Sequence, residues 1–115
     1  MIGNHDDRDV FQTVFPDNPC DQNNFVQKSF ETSEGIFLFL DTKKQGENVH
    51  NSELCEKRLA WLKMQLINAE TKQTYLFMHH PPFKIGIPYM DKIEFGAEQF
   101  LSTLSHGENI QHIFY

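Results

Sequence analysis

The stretch Thr74-Tyr75-Leu76-Phe77-Met78-His79-His80-Pro81-Pro82 restricts this chain more than any other. A short, β-rich apolar run stops at two prolines. Proline has no N–H to give to a ladder, so the strand must end there. The run predicts a strand that delivers two histidines into a rigid loop.

The other segments sort around it. Residues 9–15 read as a short helix ended before Pro16, and 17–24, with Pro19, as a loop. Residues 25–32 and 36–40, separated by Ser33-Glu34-Gly35, predict a β-hairpin. Residues 42–51 are polar and loop-like. Ser52 is the expected N-cap of the next helix, with Glu53 and Glu56 in its first turn. Cys55, Leu59, Leu62 and Leu66 recur at helical spacing up to about Ala69. Residues 84–92 form a Gly/Pro loop. Residues 95–104 read as a helix with Ala97, Leu101 and Leu104 on one face, and 110–115 as a strand. Strands alternating with helices predict an α/β layer architecture.

The chain has 115 residues, the size of one domain, and no internal repeat or linker. Its net charge is −6 and Lys and Arg are scattered, which argues against a nucleic-acid polymer as partner. An acidic chain can still bind a phosphate ester where metal ions supply positive charge. Cys20 and Cys55 form no disulfide framework and no metal pair, and are expected as reduced thiols in a cytoplasmic protein. No basic region followed by an apolar run opens the chain. Its longest apolar run, Ile36-Phe37-Leu38-Phe39-Leu40, is too short to span a bilayer, so no membrane association is expected.

Two stretches carry chemistry: Gly3-Asn4-His5-Asp6, and the strand end at His79-His80. In open α/β folds functional groups gather at the carboxyl ends of strands. A histidine held there by Pro-Pro is preorganised as a metal ligand. Imidazole suits Zn, Fe, Mn or Co, and an amide oxygen is a harder ligand found beside Mn or Fe. Read alone, Asn4 is an ordinary turn-shaping residue.

Together, Gly3-Asn4-His5-Asp6-Asp7-Arg8 and Met78-His79-His80-Pro81-Pro82-Phe83 resemble the calcineurin-like metallophosphoesterases, most of all the bacterial cyclic-nucleotide and glycerophosphodiester phosphodiesterase branch. Phe39-Leu40-Asp41-Thr42 and the helix through Trp61-Leu62 and Leu66 support the resemblance. It implies part of a layered α/β/β/α sandwich, incomplete at both ends, with residues 1–115 as the central portion of one domain. It implies two divalent ions (Mn, Fe, Zn or Co), of whose ligands this chain matches Asn4 and His79. His5 matches the histidine that faces substrate and protonates the leaving alkoxide. Asp6 either steadies the loop or caps the following helix, and Asp7 reads as a solvated acid of its first turn. Arg8 is either a phosphate fork or a surface residue. His80 either lines the substrate side or bonds to backbone. His50, His106 and His112 match no ligand position, Asp41 reads as structural, and the Phe-rich segments as core. The implied reaction is phosphodiester hydrolysis by metal-activated hydroxide, on a small substrate such as a 3′,5′-cyclic nucleotide. With these ligands alone, weak metal affinity and little turnover are expected of the 115 residues by themselves.

Two other readings stand beside this one. A metal-free paralogue could act as a binding or dimerisation module, its unpaired strand edges favouring a homodimer. A cysteine hydrolase built on Cys20 or Cys55 has no supporting motif.

Overall fold

The computed structural model describes residues 1–18, 20–46, 52–88, 90–92 and 96–115. Ser33 and Glu34 reverse the chain between β1 (Lys28–Thr32) and β2 (Gly35–Phe39), which pair antiparallel with Thr32 opposite Gly35. Gly35 has φ +146°, and a Cβ there would come within 2.4 Å of the Gln73 carbonyl oxygen. Glycine is required both by the dihedral and by the approach.

From β2 the chain passes through α2 (Glu56–Ala69) to β3 (Thr74–Phe77), which lies parallel to β2. A second crossover, through α3 (Ala97–Leu104), leads to β4 (Ile110–Phe114), parallel to β3. The sheet order is β1-β2-β3-β4, and α1 (Arg8–Val14) precedes the hairpin. The fold is mixed α/β, as the alternation of segments predicts. Because β2, β3 and β4 run the same way, their carboxyl ends share one rim.

The two faces of the sheet differ. Period-2 alternation sends Ile36, Leu38 and Leu76 to one side, where with Leu40 and Met78 they bury against Leu62, Leu66 and Ala69 of α2 and Phe100 of α3. The same alternation sends Phe37, Phe39, Tyr75, Phe77, His112 and Phe114 to the other side. Neighbouring rings stack there, with centroids 5.0 Å apart for Phe39–Phe77 and 4.7 Å for Phe77–Phe114. The expectation that the Phe-rich segments are core therefore holds for Phe25 and Phe100 and fails for this face. Phe37, Phe39 and Phe77 are half-buried, and Phe30 and Phe114 are exposed.

Three boundaries also move. The second helix begins at Glu56 with Cys55 as N-cap, because Ser52 is bridged to Lys43 and cannot cap. Glu53, expected in the first turn, lies before the helix and accepts from Arg58 at 3.0 Å. The first strand begins at Lys28 because Phe25, Val26 and Gln27 curl inward and are buried. Asp21 holds that curl, its carboxylate taking the Phe25 N–H at 2.9 Å and the Gln27 amide at 2.7 Å. The third helix begins at Ala97; the expected start at Phe95 lies outside the described residues, as do Pro19, His50 and Asn51.

Candidate metal and phosphate site

Two segments meet at the rim. The parallel ladder continues one step past the strands, with Leu40 N–H donating to the Phe77 carbonyl and Met78 N–H to the Phe114 carbonyl. His79 is thereby set just beyond the last rung of β3. Opposite it the Gly3–Asp6 loop is closed from within: Gly3 N–H donates to the Asp6 carboxylate at 2.6 Å, and Asp6 N–H to the Gly3 carbonyl at 3.2 Å. The Asp6 carboxylate thus serves the loop. Asp7, not Asp6, caps α1, accepting from the Asp9 and Val10 N–H groups at 3.0 Å.

This arrangement brings Asn4 and His79 together. His79 Nε2 donates to Asn4 Oδ1 at 3.1 Å, across 75 residues of sequence. Gly3 makes room for the ring, since a Cβ there would lie 2.9 Å from His79 Nε2. Two donor atoms each about 2.1 Å from one ion would stand about 3.0–3.4 Å apart, for right-angle or tetrahedral geometry. The observed pair fits that spacing without backbone movement, and an imidazole with an amide oxygen suits a divalent transition ion. Among the described residues no group of three or more His, Cys, Asp or Glu side chains converges as a metal cage. His5 is exposed on the same loop.

His80 points the other way. It is 3% exposed, and its Nδ1 lies 2.7 Å from Thr42 Oγ1. Its partner is a side chain rather than the backbone. Burial, with the adjoining His79, pushes its pKa down to about 4, so the ring is neutral at physiological pH. Its Nε2 is buried with no hydrogen-bond partner among the described residues. The His79 and His80 rings meet edge-on, centroids 4.9 Å apart.

Arg8 corrects both of its expected roles. It is neither a surface residue nor a free phosphate fork. Its Nε and Nη2 donate to the two oxygens of Asp41 at 2.7 and 2.8 Å, and Nη2 also reaches the Lys43 carbonyl. Asp41, wholly buried, takes two further N–H groups, from Val26 at 3.0 Å and Lys43 at 3.1 Å. Its structural reading agrees with this environment.

Sequence reasoning missed Arg58. It is wholly buried and donates to the Asp41 and Lys43 carbonyls at 2.9 and 2.8 Å and to Glu53. Both guanidinium groups lie over the Phe25 ring, that of Arg58 4.6 Å and that of Arg8 5.7 Å from its centroid. A signal was available: Arg58, Leu62, Leu66 and Ala69 form the buried stripe of α2, so a cation stands at an inward position. Lys43 was missed as well. It is 8% exposed and gives its ammonium to the Asn4 carbonyl at 3.1 Å. His106 and His112 lie away from this rim contact, on the turn after α3 and on the aromatic face. Both cysteines are free, and no helix among the described residues is long and apolar enough to cross a membrane.

No family profile matches the chain. Individual proteins do. A probable cyclic nucleotide phosphodiesterase of Rhodopseudomonas palustris is 42% identical over 94 residues, covering 81% of this chain and 34% of that protein. A probable glycerophosphodiester phosphodiesterase of Arcobacter nitrofigilis is 32% identical over 111 residues, 94% of this chain and 40% of the relative. A glycerophosphodiester phosphodiesterase of Enterobacter lignolyticus is 34% identical over 95 residues, 79% of this chain and 33% of the relative. The chain thus spans between a third and two fifths of the length of these curated relatives.

Proposed function

The chain is homologous, over nearly its full length, to a segment of the bacterial phosphodiesterases of the metallophosphoesterase family, and from that premise we propose that the protein is a metal-dependent phosphodiesterase acting on a small phosphodiester, with 3′,5′-cyclic nucleotides among the candidate substrates. One observation carries the reading. Asn4 and His79, remote in sequence, present an amide oxygen and an imidazole nitrogen 3.1 Å apart at the carboxyl end of a parallel strand.

In this reading Asn4 Oδ1 and His79 Nε2 bind one of two divalent ions, either Mn, Fe, Zn or Co. Bound metal supplies a hydroxide at neutral pH, by lowering the pKa of water from 15.7 to about 7, and neutralises charge on the phosphoryl group. The chain's residues do the rest. For His79 to bind through Nε2, that proton must leave and the ring must carry its hydrogen on Nδ1. His5, exposed on the Asn4 loop, holds the proton that the leaving alkoxide takes up. Asp6 keeps the loop closed, so that Asn4 and His5 stay aimed at one place. Arg8, engaged with Asp41, stays out of phosphate contact and braces the helix behind the loop.

The test uses the full-length protein, freed of metal and then supplied with Mn²⁺, assayed on bis(p-nitrophenyl) phosphate and on 3′,5′-cyclic AMP. Hydrolysis that requires the metal and drops sharply in Asn4→Ala, His79→Ala and His5→Ala supports the reading. Hydrolysis indifferent to chelation and to His79→Ala overturns it.

A further inference from the structure

Past its last rung β2 continues as Asp41-Thr42-Lys43, which are 0%, 0% and 8% exposed. Each side chain grips a different part of the rim. Asp41 holds Arg8, and so the first turn of α1 behind the Asn4 loop. Lys43 holds the Asn4 carbonyl. Thr42 Oγ1 meets His80 Nδ1 at 2.7 Å, and the His80 ring abuts His79 edge-on.

The Thr42–His80 contact is the informative one. Both partners are buried, and a buried polar group without its hydrogen bond is costly. Here the cost is met on one side of the ring only, since Nε2 has no partner among the described residues. A core position selected for stability would favour an apolar residue. A hydroxyl bonded to the imidazole instead fixes ring orientation and couples the ring's tautomer to the direction of the hydroxyl hydrogen. The ring so fixed packs against the proposed metal ligand.

We propose that Thr42 is a positioning residue of the metal site: through its hydroxyl it locks His80, and His80 in turn locks the imidazole of His79 in the orientation that meets Asn4. The inference rests on the proposed metallophosphoesterase reading and goes beyond it, because Thr42 is wholly buried and reaches the proposed ligand only through His80.

The experiment compares full-length wild-type protein with Thr42→Val, which keeps the shape and removes the hydroxyl, and Thr42→Ser, which keeps the hydroxyl. Two readouts are independent of turnover. Long-range ¹H–¹⁵N imidazole spectra of the metal-free protein report the His80 tautomer, and titration calorimetry with Mn²⁺ reports affinity. Expected are a single His80 tautomer in wild type and Thr42→Ser, a mixture in Thr42→Val, and a Mn²⁺ dissociation constant raised about tenfold in Thr42→Val alone. Should Thr42→Val not fold, Thr42→Ala makes the same deletion with less bulk. If the hydroxyl-free variant folds, binds Mn²⁺ as tightly as wild type and keeps one tautomer, the positioning role is overturned while the metallophosphoesterase reading stands. If wild-type protein itself binds no Mn²⁺ and hydrolyses no phosphodiester, that reading fails, and this inference with it.

Discussion

Asp41 and His79 stand just beyond the ends of adjacent parallel strands, yet their surroundings are opposite. Asp41 is wholly buried, and its oxygens accept from Arg8 twice and from two backbone N–H groups, with Arg58 Nη1 a further 3.8 Å away. His79 is exposed and reaches across to Asn4. A saturated carboxylate in a dry setting holds the fold together and has little capacity left for a ligand. An imidazole at the surface against an amide oxygen contributes little to the fold and keeps its capacity for a cation. Adjacent strand ends thus differ, one bracing the fold and the other left open to a ligand.

The sharpest way to break this contrast is to damage the bracing side. Asp41→Ala leaves Arg8 without its carboxylate, and loss of one partner of a buried ion pair costs ~3–5 kcal/mol. Urea unfolding should show a loss of that size. A loss below about 1 kcal/mol would mean that the Lys43 carbonyl suffices for Arg8, and Glu53 with the backbone carbonyls for Arg58, and that Asp41 is not the brace.

His80, between the two ends, gives a pH test. Its folded pKa of about 4 lies below the ordinary histidine value of ~6.5. Between those values the unfolded chain binds the proton more readily. The stabilisation is therefore complete above pH ~6.5 and is lost as pH falls toward 4, by roughly 3 kcal/mol in all. Stability of the metal-free protein measured at pH 7 and at pH 4 should differ less in His80→Gln than in wild type. Equal differences in the two proteins would place the acid sensitivity elsewhere.

On the binding side the signs reverse. His79→Ala should shift unfolding by no more than ~0.5 kcal/mol, as for other surface substitutions. It should lower metal-dependent hydrolysis at least about 100-fold, the scale on which even residues that only orient metal ligands act. A large stability loss with activity retained would collapse the distinction between the two strand ends. The smallest effect is local. Asp7→Ala removes the α1 cap at a cost of ~1 kcal/mol, read by thermal unfolding. It should leave Mn²⁺ affinity unchanged, since the Asn4 loop is closed by Asp6.

Much of the layout was legible because it is local. Residues 36–40 and 74–78 are apolar and β-rich, Pro81-Pro82 end a strand, and α2 carries its period in Leu62 and Leu66. The family resemblance singled out Asn4 and His79, and the structure places their side chains in contact. What escaped depended on non-local partners. Ser52 looks like an N-cap, but pairing with Lys43 claims it and moves the cap to Cys55. Arg8 looks like a surface or phosphate-binding residue until Asp41 is brought beside it. Phe37 and Phe39 look like core, and their side of the sheet is settled by which face the helices cover.

The order of the elements and the α/β class could thus be read from the chain alone, since they rest on period, proline and glycine, which act within a few residues. Which polar side chains brace and which stay open depends instead on contacts made across the fold. Arg8, Asp41, Thr42 and Arg58 differ from exposed residues of the same types in the company they keep. In a low-dielectric interior the worth of a charge or hydroxyl is set by its partners, and here several of those partners come from segments 15 to 38 residues away.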